Sequence, residues 1–303
     1  MKLMLIKYLS FTKVQMKRGI ILLSMFLLLS CQSTGLKIGN FDVGKIVNQG
    51  VKLWDANNIN EEQEIQLGQN ISAVLLGVRP LHKNVKINQY VNKVGGWLAM
   101  HSSRPDLPWK FGIIDSESIN AFAAPGGYIF ITSAMLMQLN SEAELAAVLA
   151  HEISHVTLMH HLEAIKSGAL RNAMTETLFV SADSYQVNTN AKQKKREYAA
   201  WAKTITNAAQ DLYSKGLDRD DEIMADKLGL LLMTKAGYDP FAYVSSLQSI
   251  EAISPDDSSL ALLYKTHPTP TERLGQLQPK LHEIENIEGK VLMARFQNVL
   301  KGQ

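Results

Sequence analysis

The sequence predicts an α+β fold that is mainly helical, with a small β-sheet packed beside one long helix. Residues 61–78 and 83–100 place apolar side chains at three- and four-residue spacing, which is the period of an amphipathic helix. Trp109–Ile114 and Tyr128–Thr132 are short, rich in β-branched and aromatic residues, and bounded by Pro or Gly, as strands are. The segment between them, 120–123, is a candidate third strand.

The helix beside this sheet is expected to begin at Ser141. Ser141 and Glu144 match a capping box, in which each of the two side chains accepts a hydrogen bond from a backbone amide at the helix start. The apolar run 145–156 contains neither Gly nor Pro, so one continuous helix carries His151 and His155.

The composition is that of an ordinary globular protein, with 20% charged and 46% hydrophobic residues in a chain of 303. The formal net charge is +2, but the first 30 residues hold five basic side chains and no acidic one. The remaining residues therefore carry a small negative net charge. A nucleic-acid partner needs a clustered basic face, so the sequence argues against one.

The amino terminus has the pattern of a secretory signal. Basic residues precede the apolar run Ile20–Leu29, which is too short for a permanent membrane-spanning helix. Cys31 is the single cysteine, and Leu28–Cys31 resembles the lipobox in which a bacterial lipoprotein is acylated. We therefore expect a lipid anchor on Cys31. The alternative is an ordinary signal followed by a free thiol, and translation from Met16 is an alternative start.

The predicted organisation has three parts. Residues 1–30 are the signal, 31–60 are a polar tether, and 61–303 are one folded domain. Gln32 follows the cysteine, where an Asp tends to retain lipoproteins of Gram-negative bacteria in the inner membrane. This favours an outer-membrane location that faces the periplasm.

The spacing His151-Glu152-x-x-His155 indicates a metal site. Residues four apart lie on one face of a helix, so the two imidazoles are able to share one ion. Zinc in hydrolases takes three protein ligands and activates a water molecule, from which a nearby carboxylate removes the proton. Glu152 is the candidate for that general base. The alternative is a pair of helix histidines that pack in the core.

A third ligand is expected from a second helix. Glu222 and Asp226 are four residues apart at the start of an apolar helical run. Glu222 is the candidate ligand, and Asp226 is placed to accept a hydrogen bond from a ligating histidine and so fix its orientation. The alternative is an acidic cluster that only complements the helix dipole.

With these motifs the chain resembles the gluzincin zinc metallopeptidase family of the CAAX prenyl endopeptidase, HtpX and BepA, and most of all its small periplasmic lipoprotein members. The resemblance covers roughly residues 58–280. The matching segments are 151–155, 222–226, 120–127 and 236–240, together with His267-Pro268 and Arg273. It implies a zinc-dependent endopeptidase with one Zn²⁺ per chain. The implied partners are protein or peptide substrates, including unfolded envelope proteins.

The resemblance also implies roles near the metal for two more residues. His267 would donate a hydrogen bond to the oxyanion of the reaction, or it would fill the fourth position on zinc and silence the enzyme. Arg273 would hold His267 or stabilise the anion. The alternatives are a turn histidine and an ordinary surface salt bridge. His160 and His161 are interpreted as structural.

Three functions remain open from the sequence. The first is an active endopeptidase that cleaves misfolded or misassembled envelope proteins, holding an extended peptide against the edge strand within 120–132. The second is a binding or chaperone module with a closed metal site. The third is a helical interaction protein that has no metal.

Overall fold

The computed structural model describes residues 59–167, 203, 205–211 and 213–301, and the backbone of 37–38 and 41–42. The chain divides into two compact units, Met1–Lys37 and Ile38–Gln303, and the site discussed below lies within the second. Several predicted features fall outside the described residues: the signal, Cys31, and nearly all of the tether.

The described part of the chain is mainly helical and has a small sheet, which confirms the predicted fold class. The strands are β1 (Lys37–Ile38), β2 (Phe41–Asp42), β3 (Lys110–Ile114), β4 (Ala121–Ala124) and β5 (Tyr128–Thr132). The helices are α1 (Glu61–Val78), α2 (Val85–Ala99), α3 (Ser133–Gln138), α4 (Glu142–Thr157), α5 (His160–Ser167), α6 (Arg219–Lys235), α7 (Phe241–Glu251), α8 (Ala261–Thr266), α9 (Pro270–Ile284) and α10 (Met293–Lys301).

The sheet beside α4 has three strands in the order β3-β5-β4. β3 pairs with β5 in parallel, with Lys110 opposite Tyr128, and β4 pairs with β5 antiparallel, with Ala121 opposite Ile131. The predicted third strand is therefore present. It lies at the edge of the sheet, and it begins at Ala121, one residue later than expected.

α4 is the central helix of the domain. Its residues are buried from Glu142 to Thr157 with the single exception of Val148. α6 crosses it closely at Gly229, where an added Cβ would lie 3.0 Å from the backbone nitrogen of His151. Because a larger residue would push the helices apart, Gly229 allows α6 to bring its acidic first turns to the histidines of α4.

The start of α4 differs in one respect from the predicted capping box. Ser141 accepts the backbone amide of Glu144 at 3.1 Å, as expected. The Glu144 carboxylate, however, accepts the backbone amide of Asn140 at 2.8 Å rather than that of Ser141. The predicted second hydrogen bond of the capping box, from the Ser141 amide to the Glu144 side chain, is therefore wrong. The carboxylate contacts Asn140 instead because it also accepts a hydrogen bond from the side-chain amide of that residue, at 3.2 Å.

Among the described residues, no helix combines the length and the apolar character that crossing a bilayer requires.

Candidate metal centre

The two histidines of α4 meet a carboxylate of α6 in the protein interior. His151 Nε2 and His155 Nε2 are 3.0 Å apart. The Glu222 carboxylate lies 3.5 Å from the first nitrogen and 3.4 Å from the second. All three side chains are at most 4% exposed. The helical spacing on α4 and the close crossing of α6 therefore bring two imidazole nitrogens and one carboxylate together.

These three side chains fit a metal ion such as zinc. Both oxygens of Glu222 are buried and accept no hydrogen bond from any described residue. An unpaired buried carboxylate is costly unless a cation or a donor faces it. Zinc binds imidazole and carboxylate ligands at about 2.0–2.2 Å, which places the ligand atoms of a tetrahedral site roughly 3.3 Å apart. The two nitrogens are 3.0 Å apart, and the nearest Glu222 oxygens lie at 3.5 Å (Oε2, from His151) and 3.4 Å (Oε1, from His155), which are distances of that size.

Asp226 supports the far side of the His151 ring. Its Oδ1 lies 2.9 Å from His151 Nδ1 and accepts the Tyr243 hydroxyl at 2.9 Å. Arg273 donates to the same carboxylate through Nε and Nη2, at 3.1 and 2.5 Å. Burial opposes its charge, but Arg273 and His151 hold the pKa of Asp226 well below its usual range. His151 is therefore held with Nε2 towards Glu222.

Glu152 lies beside this cluster in the same buried region. Its Oε2 has no hydrogen-bond partner among the described residues. Burial, together with the negative charge of Glu222, raises the pKa of Glu152 to about 7, against the opposing effect of His151 and Arg273. A carboxyl group whose pKa lies near neutrality suits a group that takes up and returns a proton.

His267 follows α8 and faces the same point. Its Nε2 lies 3.8 Å from Glu152 Oε1, and its Nδ1 contacts the Thr266 hydroxyl at 2.9 Å. One ligand atom from each of His151, His155, Glu222 and His267 lies within 4.8 Å of the others. Burial lowers the pKa of His267 to about 4, so the ring is neutral at pH 7. This placement suits a fourth ligand and a donor to the reaction equally.

The structure assigns Arg273 a different neighbour from the one that the resemblance implies. Its guanidinium pairs with Asp226, and Nη2 also lies 3.1 Å from His151 Nδ1. No described hydrogen bond joins it to His267, although both residues line one cavity next to Glu152. Arg273 thus lies on the His151 side of the site.

The cavity also connects the site with the sheet edge. Ala121 of β4 lines it together with His151 and Glu152. Tyr243 of α7 lines it too, and sequence reasoning missed this residue. No spacing pattern marks Tyr243, because its contact with Asp226 depends on how α7 packs against α6.

Comparisons with known proteins agree with this geometry. Residues 86–280 match the model of peptidase family M48. The beta-barrel assembly-enhancing protease of Escherichia coli O157:H7 is 29% identical over 227 residues, which are 73% of this chain and 44% of that protein. The mitochondrial metalloendopeptidase OMA1 of Schizosaccharomyces pombe is 28% identical over 65% of this chain and 53% of that protein. The metalloprotease YcaL of Escherichia coli K12 is 23% identical over 84% and 92%.

The chain thus spans about half the length of the first two relatives and nearly all of the third. The matched family segment contains every residue of the buried cluster, from the histidines of α4 to Arg273 of α9. Since that segment covers more than half of the sequence, the chain belongs to peptidase family M48, a family of metallopeptidases.

Proposed function

We propose that this chain is a zinc-dependent endopeptidase. His151, His155 and Glu222 hold one zinc ion per chain, and Glu152 is the general base. The observation that carries the proposal is the convergence of two imidazole nitrogens on a buried carboxylate without a hydrogen-bond partner among the described residues. Such a group of atoms is unfavourable unless a cation completes it.

Each surrounding residue has a role that follows from its place. Zinc bound there would acidify a water molecule and polarise the scissile carbonyl. Glu152 would take the proton of that water and pass it to the leaving amine. Asp226, supported by Arg273, would keep the His151 ring in position. His267 would donate to the developing oxyanion, or it would occupy the fourth position on the metal.

A polypeptide is the substrate that the sheet supports. β4 is an edge strand, and Ala121 at its start lines the cavity beside Glu152. An extended peptide adds to such an edge through backbone hydrogen bonds, which accept most side chains. This arrangement favours cleavage of unfolded segments over recognition of one sequence.

Hydrolysis of an unfolded protein tests the proposal directly. Purified protein loaded with zinc should cleave casein, and Glu152→Gln should retain the metal but lose activity by at least 100-fold, because only the proton acceptor has changed. Glu62→Gln, at an exposed position on α1, is the matched control and should cleave like wild type. Equal activity in the Glu152 and Glu62 variants would refute the role of Glu152.

A closed metal site that binds proteins without cutting them is the second candidate function. The placement of His267 within the cluster favours it, because a fourth protein ligand leaves no position for water. Under this alternative, wild type and Glu152→Gln bind casein equally well, and neither cleaves it.

We further propose a role in quality control of misfolded or misassembled proteins of the bacterial envelope. The name of the Escherichia coli beta-barrel assembly-enhancing protease supports this assignment. The predicted lipid anchor on Cys31 also supports it, because such an anchor would hold the domain on the outer membrane, facing the periplasm. Proteins that accumulate in the envelope of cells carrying Glu152→Gln, compared with wild type, would identify the substrates. No difference between the two proteomes would refute the role.

A further inference from the structure

Two histidines follow the metal-binding helix after a tight turn. α4 ends at Thr157 and α5 begins at His160, and between them Met159 has a φ of 61°. Residues with a side chain rarely take this left-handed conformation, because the Cβ then crowds the backbone. The turn brings His160 against His155 and leaves His160 only 5% exposed.

The contact between these two rings determines where their protons lie. His155 Nδ1 and His160 Nδ1 are 2.9 Å apart, which is a hydrogen-bond distance. His155 directs its Nε2 towards Glu222 and His151, so a metal ligand at that position must carry its proton on Nδ1. His155 therefore donates, and His160 Nδ1 accepts.

The far side of His160 faces α6. A neutral imidazole that accepts through Nδ1 carries its proton on Nε2. His160 Nε2 lies 3.5 Å from Asp221 Oδ1, an ion-pair distance rather than a short hydrogen bond. Asp221 directly precedes Glu222, so the first turn of α6 contacts this pair of rings from both ends.

We propose that His160 is a positioning residue for the metal ligand His155, as Asp226 is for His151. This inference rests on the proposed metal site. The two supports differ in charge, since Asp226 is a carboxylate paired with Arg273, whereas His160 is a buried neutral ring. His160 fixes the orientation of the His155 ring without adding a negative charge next to the ion. Glu222 then remains the charged ligand on this side.

Zinc affinity, measured by competition with a chromophoric chelator, tests this proposal without relying on activity. His160→Leu removes the acceptor and should weaken zinc binding by roughly 10–100-fold, the usual effect of losing a partner of a ligating histidine. His160→Asn has a similar size and places a side-chain oxygen near the position of Nδ1, so it should restore most of the affinity. His161→Leu and His161→Asn form the matched control pair. The His161 ring lies about as close to that of His155 as the His160 ring does, at 5.2 and 5.1 Å between centroids. No described hydrogen bond joins His161 to His155, however, and His161 Nδ1 has no hydrogen-bond partner among the described residues. The two His161 variants should therefore have equal affinity.

The outcomes separate this proposal from the assignment of the metal site. Suppose that wild type binds zinc and that the Leu and Asn variants at position 160 bind it equally weakly, or both as tightly as wild type. The positioning role of His160 is then refuted, while the assignment of the metal ligands stands. Wild type that binds no zinc refutes the metal site itself. If the Leu variant does not fold, ¹⁵N NMR of the histidine rings in zinc-loaded wild type decides. The proposal requires a proton on His160 Nε2 and none on its Nδ1, and the reverse pattern overturns it.

Discussion

Replacing Asp226 by Asn removes the charge that organises the His151 side of the site. The carboxylate accepts hydrogen bonds from Tyr243 and, through two nitrogens, from Arg273. Its side chain is 2% exposed and that of Arg273 is 10% exposed. Because Asn has nearly the same size, the substitution changes charge and hydrogen bonding with little change in packing.

The magnitude follows from the unpaired guanidinium that remains. Removing one partner of a buried ion pair costs about 3–5 kcal/mol, because the other charge stays buried without compensation. In a domain of this size each kcal/mol lowers Tm by about 2–4 °C. We therefore expect chelator-treated Asp226→Asn to unfold about 6–20 °C below wild type in calorimetry. The chelator excludes any contribution from bound metal.

A second substitution separates stability from metal binding. Asp226→Asn combined with Arg273→Met removes the unpaired charge, and replacing a whole buried pair is often close to neutral. The double variant should regain most of the lost Tm, whereas zinc affinity should stay roughly 10–100-fold below wild type because His151 lacks its carboxylate. A Tm within 2 °C of wild type for the single variant, or no recovery in the double variant, would refute the pairing of Asp226 with Arg273.

Three other predictions address the metal, the anchor and the fourth histidine. Elemental analysis should find about one zinc per chain in wild type and almost none in Glu222→Ala, which lacks the only carboxylate ligand proposed; zinc-free wild type that takes up none on addition would contradict this. A fatty acyl label should enter wild type and not Cys31→Ser, and equal absence of label would leave an ordinary signal peptide. His267→Ala should lower kcat by roughly 10²–10³-fold at nearly constant KM if His267 donates to the oxyanion. It should raise activity if His267 is a closing ligand, and an unchanged rate would remove His267 from the site.

The parts of the site that were predictable from the sequence depend on local geometry. The pairing of His151 with His155 needs only the helical repeat, and α1 begins and ends at the expected residues, Glu61 and Val78. Glu222 is predictable as the candidate third ligand because it lies at the start of an apolar helical run, and the motif order of the family agrees. These inferences require only secondary structure and the order of motifs along the chain.

The remaining features depend on packing between distant segments. The Arg273 guanidinium lies on Asp226, a contact set by how α9 packs against α6 across 47 residues of sequence. The His160 interaction depends on a left-handed turn at Met159, and methionine does not signal such a conformation. The sequence places His160 past the metal-binding face of the helix, and so predicts only a structural role for it. Spacing predicts which residues share a helix face, but not which second helix approaches it.

The buried residues around the proposed metal site carry an excess of negative charge. With His151 neutral, the buried carboxylates Glu152, Glu222 and Asp226 exceed Arg273 by two negative charges, which a divalent cation would balance.

Without a metal, protons supply part of this balance. Burial and Arg273 disfavour the charged ring, but Asp226 and Glu222 outweigh them and raise the pKa of His151 to about 9. Burial raises the pKa of Glu152 to about 7. At pH 7 the metal-free site therefore holds roughly one proton on His151 and about half a proton on Glu152.

Zinc must displace the proton on His151, because a ligating imidazole is neutral. The charge of the ion also favours the ionised form of the nearby Glu152 and so displaces its proton. Calorimetric titration in two buffers of different ionisation enthalpy should show the release of about 1–1.5 protons per zinc at pH 7, falling towards zero above pH 9. Zinc affinity should accordingly weaken as the pH falls from 9 to 6, since protons compete for His151 throughout that range. Glu152→Gln should release close to one proton, because Gln does not titrate. Zinc binding without proton release at pH 7 would show that His151 is already neutral, and that Asp226 and Glu222 do not hold a proton on it.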